Sequence, residues 1–331
     1  MTSVSVVVPT YNRLDRLQRV LAGLERQTVE PDGFEVIVVS DGSADGTNDY
    51  LLGVKTPLHL QPLIQENQGV AAARNHGIDR ATGEIILFID DDVVPAPQLM
   101  AEHLRTHAAH GDSVIVLGPM LTPDDFDMAP WVRWEQAMLA KQYNDMIIGR
   151  WEPTARQFYT GNTSLARRHL LDVGGFDPAF RRAEDVEMAY RLAQRGLRFV
   201  FNPEAIGYHH AERSFQSWLE IPYAYGRNDV IFTRDKGQVW LLPMILGEFH
   251  SRHVMIRGLT WACLGRPRLT RSAIDVLQRL AGIGHRLGMP TVSRMAYSGI
   301  FNLRHYQGIA DELDSRDAFF AEVARAEIKR G

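Results

Sequence analysis

Over its first hundred residues the chain alternates short β-branched runs with longer stretches of helical periodicity, and that alternation leaves few folds open. The runs 4–8, 35–39 and 84–89 read as buried strands, while 13–27, 46–52 and 69–81 read as helices, the last favoured by Ala71, Ala72 and Ala73. Strands separated by helices pair in parallel through crossover connections, so an α/β fold with a doubly wound sheet is predicted. Such a sheet takes its ligands outside the carboxyl ends of its strands. The next stretch, 119–156, is poorer in pattern, punctuated by Pro123, Pro130 and Pro153, and reads as one helix with mobile loops. Beyond it a strand over 158–166, a Gly174-Gly175 turn, a helix over 185–195 closed by Gly196 and a short strand over 199–201 are predicted. From Arg213 onward the chain turns helical, with Ile274, Leu277, Leu280, Ile283 and Leu287 expected on one packed face and Phe319, Phe320 and Val323 in a terminal helix.

Composition narrows the class. At 331 residues the chain can bury a large core. Its single cysteine, Cys263, excludes an internal disulfide framework and a cysteine-built zinc site. That usage suits a reducing compartment, and a cytoplasmic location is expected, since no apolar run approaches a membrane span and Met1-Thr2-Ser3-Val4 enters a strand pattern without a charged leader head. The net charge of −4 hides an asymmetry: residues 249–305 hold nine arginines against Asp275 alone. Two expectations follow with equal standing. This segment contacts an anionic surface, placing the protein peripherally at the inner face of a membrane, or its arginines pair with the acidic remainder or a homo-oligomer partner. No nucleic-acid motif accompanies the charge.

The chemistry-bearing residues gather where the strands should end. Asp90-Asp91-Asp92 follows the apolar run Ile85-Ile86-Leu87-Phe88-Ile89 directly, and clustered carboxylates at a strand's carboxyl end suit a hard cation such as Mg²⁺ or Mn²⁺. Alone, the triplet would equally be a solvated turn before Val93-Val94-Pro95. The first strand ends in Pro9-Thr10-Tyr11-Asn12-Arg13, where a flat base could stack on Tyr11. The second ends in Ser40-Asp41-Gly42, followed by Ser43-Ala44-Asp45-Gly46-Thr47, and Asp41 could accept from a ring imide N–H. Arg74 and Asn75 lie on the helix opened by Asn67-Gln68-Gly69 and could meet a diphosphate or ribose. Glu184 and Asp185 stand at a helix start, which favours carboxylates, although an ordinary acidic start with Glu187 paired to Arg191 explains the same residues.

Taken in order, Pro-Thr-Tyr-Asn-Arg, Ser-Asp-Gly-Ser, Asn67 to Gly77, the Asp triplet, Thr160-Gly161-Asn162, Gly174-Gly175-Phe176-Asp177 and Glu184-Asp185 resemble the family 2 glycosyltransferases over about residues 3–212. The resemblance implies a GT-A-like, mostly parallel Rossmann-type sheet over 1–212, with a nucleotide-binding half at 1–95 and an acceptor half at 96–212, plus a helical carboxyl-terminal extension over 213–331. It implies a metal-dependent, inverting transfer from a nucleotide-diphosphate sugar, UDP first among the bases, to a hydroxyl of a glycan, lipid-linked or small-molecule acceptor. Carried over by position, Pro9, Thr10, Tyr11, Arg13, Asp41, Asn67, Gly69, Arg74, Asp90 and Asp91 would hold the nucleotide sugar. Asp92 and His209 would ligate Mn²⁺ or Mg²⁺, with Asp91 as a competing ligand. Asp185 would be the base beside Glu184. Gly161, Asn162, Trp131, Trp134 and Trp151 would face the acceptor, although tryptophans at helical spacing are more often core.

Other classes fit less well. A dehydrogenase would need Gly-x-Gly-x-x-Gly after the first strand, and a sugar nucleotidyltransferase a Gly-rich basic loop there, where Pro9-Thr10-Tyr11-Asn12 stands. A metal-dependent phosphohydrolase leaves Tyr11, Asp41 and Glu184-Asp185 without a role. A non-catalytic binding module would not need every candidate position filled.

Overall fold

The computed structural model describes residues 4–328; Met1-Thr2-Ser3 and residues 329–331 lie outside the described residues. The first part runs β1 (Val4–Thr10), α1 (Leu14–Leu24), β2 (Phe34–Asp41), α2 (Thr47–Gly53), β3 (His59–Gln65), α3 (Val70–Arg80) and β4 (Ile85–Ile89). Next come β5 (Val93–Pro95), α4 (Leu99–His110), β6 (Val114–Leu117), β7 (Met120–Leu121), α5 (Pro130–Ile147), β8 (Asn162–Ala166), α6 (Arg167–Asp172), α7 (Glu184–Gln194), β9 (Arg198–Phe201) and β10 (Gly207–His209). The remainder is α8 (Phe215–Asp235), α9 (Leu241–Phe249), α10 (Val254–Cys263), α11 (Pro267–Arg286), α12 (Pro290–Glu312) and α13 (Arg316–Ile328).

The main sheet has seven strands in the order β3-β2-β1-β4-β8-β6-β9. Chain order explains its geometry. The chain winds outward from β1 to β2 and β3, then crosses back through α3 to lay β4 on the other side of β1. The winding reverses between β1 and β4, and such a switch point opens a crevice at the strands' carboxyl ends. β8 alone runs against its neighbours, antiparallel to both β4 and β6, while β6 and β9 are parallel. A small second sheet, β5-β10-β7, carries His209 at the end of β10. The apolar core of this part is continuous from Val6 and Val8 of β1 through Val36 and Val38 of β2 to Leu87 and Ile89 of β4, backed by Leu17, Val20 and Leu24 of α1. Burial of such side chains contributes roughly 1.5–3 kcal/mol each.

Several elements differ from the sequence reading. β3 lacks alternation because it lies at the sheet edge with half-buried and exposed residues and none buried, and its pattern escapes notice. The strand expected over 158–166 starts only at Asn162, after a 3₁₀ turn at Ala155–Gln157. The irregular stretch, by contrast, holds one helix as expected, α5, which Pro130 opens at a position where no N–H is needed. His209 closes a short strand, β10, that no pattern in the sequence marked.

The chain divides into two compact units: one takes in the described residues through Asp127 and Gln136–Ala211, the other Met128–Glu135 and the described residues from Glu212 onward. The second unit is helical. Its core gathers Trp218, Ile274, Ala281, Tyr297, Ile300 and Leu303, and Trp131 and Trp134 pack against it. α8 and α12 cross so closely that a Cβ on Gly226 would sit 2.0 Å from the His305 carbonyl oxygen, and one on Gly308 2.0 Å from that of Tyr223. The face expected on α11 is split. Ile274 is buried, but Leu280, Ile283 and Leu287 are 43%, 51% and 67% exposed. At 3.6 residues per turn they lie roughly 100–180° around the helix from Ile274 and Ala281.

Beneath the sheet, His103 and His107 share the hydroxyl of Ser164, at 2.8 Å each, and the other nitrogen of the His103 ring meets Asn162 Oδ1 at 2.9 Å. Burial pushes both imidazoles down to about 4. The native state thus keeps them neutral, while the unfolded chain takes up their protons below about 6.5. Stability from these residues is present above that value and lost as pH falls toward 4. The urea midpoint should therefore drop between pH 7 and pH 5, and His103→Gln should flatten that dependence.

Candidate active site

The carboxyl ends of β1, β2 and β4 bring the predicted residues together. Pro9 and Thr10 close β1 and are buried, and the Thr10 hydroxyl donates to Asp91 Oδ2 at 2.8 Å. Past it the backbone turns sharply at Asn12 (φ 52°), whose N–H donates to Ser43 Oγ (3.0 Å) and whose Oδ1 accepts from the Ala44 N–H (2.7 Å). The loops after β1 and β2 are thereby laced together, with Tyr11 left half-exposed on the rim as a face for a planar ligand.

Asp41 is held more tightly than expected. Its carboxylate accepts from Gln65 Nε2, the Gln68 N–H and the Gly69 N–H, each at 2.8 Å, and Asn67 Nδ2 donates to its carbonyl at 2.9 Å. Gly69 adopts φ 94°, and a Cβ there would meet Arg181 Nη1 at 2.6 Å. Asp41 thus fixes the entry to α3. Oδ2, with one partner, keeps accepting capacity for an incoming N–H.

The acidic triplet is an electrostatic lattice. Arg13 Nη1 donates to Asp91 Oδ1 (2.8 Å) and Asp92 Oδ2 (3.1 Å), and Arg16, one turn further along α1, lies 3.6 Å from the same Asp92 oxygen. Burial lifts the Asp91 carboxyl to about 6 against the pull of Arg13. Burial acts on Asp92 too, but a hydrogen bond and charge from His209, with Arg13 and Arg16, outweigh it and hold that carboxyl at about 2. His209 Nε2 stands 3.5 Å from Asp92 Oδ1, and Gln136 Nε2 lies 3.2 Å from its other ring nitrogen. His210 turns its ring onto Phe126 instead. Neither Arg16 nor Gln136 was singled out in the sequence. Arg16 could have been, by its one-turn spacing from Arg13, whereas Gln136 sits on α5, which no motif marks.

Asp90 points the other way. Arg74 from α3, nearly inaccessible, donates through Nη2 to Asp90 Oδ1 (2.9 Å) and through Nη1 to Glu184 Oε1 (2.7 Å), with its guanidinium 5.5 Å from the centre of the Phe176 ring. The adjacent Asn75 exchanges two 2.8 Å hydrogen bonds with the Phe176 backbone, fixing the loop that leads to α7. Ala183 caps α7 in the left-handed region (φ 59°), which costs an alanine roughly 1 kcal/mol, and behind it Glu184 is buried and Asp185 half-buried. Burial and the neighbouring Glu184 raise the Asp185 carboxyl to about 7, against the opposing charge of Arg74. The Glu187–Arg191 pair is also present, with Arg191 bonding the Val173 and Gly175 carbonyls, so α7 carries both a structural pair and the acidic start.

The predicted acceptor residues separate. Gly161 lies against Asp90: a Cβ there would come 3.2 Å from Asp90 Oδ2. Asn162 is fully buried, its amide donating to the Pro119 and Ala205 carbonyls, so it is an internal strut that no acceptor can touch. Trp131 donates to the Arg213 carbonyl and stacks edge-on with Phe215, and Trp134 packs against Trp218 and Phe301; both serve the core of the helical unit. Trp151 is exposed, 5.6 Å from Lys141 Nζ.

Comparison with known proteins adds a family. Residues 5–175 match the model described as glycosyl transferase family 2. Validoxylamine A glucosyltransferase of Streptomyces hygroscopicus subsp. limoneus is 34% identical over 229 residues, 62% of this chain and 51% of that protein. A counterpart from another strain is matched over 54% of its length, so the chain spans about half the length of these curated relatives. Among solved structures, S. aureus TarS 1–349 in complex with UDP superposes with a TM-score of 0.56 at 17% identity, covering 95% of this chain and 92% of that one. The mannosyltransferase PcManGT from Pyrobaculum calidifontis, in complex with GDP-Man and Mn²⁺, gives 0.54 at 18%, covering 99% and 87%.

Removing Arg74 while keeping its volume, as in Arg74→Met, strips Glu184 of its buried partner. A loss of about 3 kcal/mol in unfolding free energy is expected from urea titration. Arg13→Met, on a half-exposed side chain, should cost well under half of that.

Proposed function

The chain belongs to glycosyl transferase family 2, and on that premise we propose that it transfers a sugar from a nucleotide-diphosphate donor to an acceptor hydroxyl with inversion at the anomeric carbon. The observation that carries the reading is the Arg74 bridge, which sets the donor-side Asp90 and the base pair Glu184-Asp185 around one guanidinium. TarS and PcManGT, which share the fold, were solved with UDP and with GDP-Man and Mn²⁺, and this supports a nucleotide-sugar donor.

In this reading the donor's base stacks on Tyr11 and reaches Asp41, and its ribose approaches Asp90. Asp185, poised near neutrality, accepts the acceptor hydroxyl's proton as that oxygen attacks C1 from the face opposite the leaving diphosphate. The C1–O bond to the diphosphate breaks as the new bond forms, and no covalent sugar–enzyme intermediate arises. Trp151 is the exposed candidate for an acceptor-facing surface, while Gly161 is buried and backs Asp90 from within.

Among the described residues no three His, Cys, Asp or Glu side chains form a metal cage. Asp92 and His209 nevertheless fit a cation whose remaining positions are filled by the donor's phosphates, since Mg²⁺-like ions are commonly held by one or two protein groups plus phosphate. Such a cation, when bound, would neutralise charge on the departing diphosphate. The other residues act without it: Arg13 and Arg16 hold Asp92 ionised, and Gln136 orients the His209 ring.

A thermal-shift screen of UDP, GDP, dTDP and CDP, each with and without Mn²⁺ or Mg²⁺, tests the donor half: one nucleotide should raise the melting temperature, more so with metal, and Asp92→Ala should erase the metal increment. No shift with any pair would refute the reading. Asp185→Asn should lower turnover by about a hundredfold or more while leaving that shift intact. Equal turnover would remove Asp185 as the base. Because Asp185 must be ionised to accept a proton, the rate of the unsubstituted protein should rise with pH and level off above about 7.

A further inference from the structure

The exposed side of α11 is built unlike an ordinary solvent face. Leu269, Val276, Leu280, Ile283 and Leu287 recur at helical spacing along its full length and beyond its last turn, and every one is exposed. Arg268, Arg271, Arg279 and Arg286 form the next row around the helix, interrupted by Asp275, the helix's single acid. These four arginines are exposed and, with Arg294 at the start of α12, have no ion pair or hydrogen bond among the described residues. Elsewhere in the helical unit arginines do find partners: Arg227 and Arg234 share Glu312, and Arg304 holds Glu220. The unpaired ones are thus concentrated beside the apolar stripe.

We propose that α11 is a docking surface for an anionic lipid bilayer, lying in the interface with its stripe among the acyl chains and its arginines on the headgroups. Three features select this occupant. The row of uncompensated cations is complementary to anionic headgroups, whereas a second copy of the chain would bring the same charges against it. A basic amphipathic helix with an uninterrupted apolar face is the form that binds at the headgroup boundary. At about 30 Å, α11 offers a long contact. No helix among the described residues is long and apolar enough to cross a membrane, so the attachment is peripheral. On α10, which precedes α11, Val254, Met255 and Trp261 are also exposed, and Arg266 and Arg316 lie 6.0 and 5.3 Å from the Trp261 ring. Indole beside arginine is the pairing that favours a wet, apolar boundary.

The test is co-sedimentation of the full chain with phosphatidylcholine vesicles, with and without phosphatidylglycerol, at low and high salt. Binding should be about tenfold or more stronger on the anionic vesicles and weaken with salt. Ile283→Asp with Leu287→Asp should abolish it, and Arg279→Glu with Arg286→Glu should remove the preference for anionic lipid. These side chains are exposed, so an unchanged melting temperature certifies each variant as folded. A chain that stays in the supernatant, or variants that sediment like the parent, would overturn the proposal. So would sedimentation equilibrium showing a dimer that Ile283→Asp with Leu287→Asp dissociates, because the stripe would then be covered by a second copy. None of these readouts depends on the nucleotide, so failure here leaves the transfer reading standing.

Discussion

One buried guanidinium organises the catalytic unit. Arg74 is drawn from α3 into a site where two carboxylates of different origin converge, Asp90 from the end of β4 and Glu184 from the start of α7. An ion so placed loses nearly all its hydration, and only well-formed charged hydrogen bonds offset that loss. The same contact acts on a neighbouring carboxyl, because the positive charge moderates the proton affinity that burial and Glu184 impose on Asp185. Position and protonation therefore depend on the same guanidinium.

The acidic triplet divides its labour by direction. Asp90 faces Arg74, Asp91 turns back toward Thr10 and Arg13, and Asp92 faces His209. Three adjacent carboxylates would repel one another if left alone; Arg74 offsets Asp90, while Arg13 is shared by Asp91 and Asp92, with His209 and Arg16 added on Asp92. Asp91 and Asp92 are both buried and internally engaged, by Thr10 and Arg13 and by Arg13, Arg16 and His209 respectively, whereas the Asp90 side chain keeps the largest accessible surface of the three.

Much of this was legible in the chain. The strand–helix alternation gave the winding, and β-branched runs ending in polar residues located the sheet edge, because buried parallel strands permit little but apolar side chains until they emerge. The residues at that edge were found because motif order compensates for the weakness of each motif. What could not be read were relations between distant segments. Nothing around Asn162 announces that its amide will be enclosed by Pro119 and Ala205. Trp131 and Trp134 show only that they share a helix face, and whether that face meets sugar or other aromatics depends on Trp218 and Phe301, some eighty and more residues further on. On α11 the periodicity was correct and the burial was not, since a stripe of leucine and isoleucine looks alike whether it is covered or bare.

The reversed strand β8 bears on how the molecule comes to be folded. β1, β2 and β3 pair through neighbouring βαβ units, contacts that close short loops, whereas β4 pairs with β1, and β8 with β4, across more than seventy residues each, β8 in the opposite sense to the rest of the sheet. Long-range pairings of this kind are slow to form because loop closure precedes any gain. Thr10 and Asp41 close strands of the locally wound part, whereas Asp90, Glu184 and Asp185 arrive only with the long-range pairings. The candidate site is thus a late feature of assembly, completed when the slowest contacts of the sheet have closed.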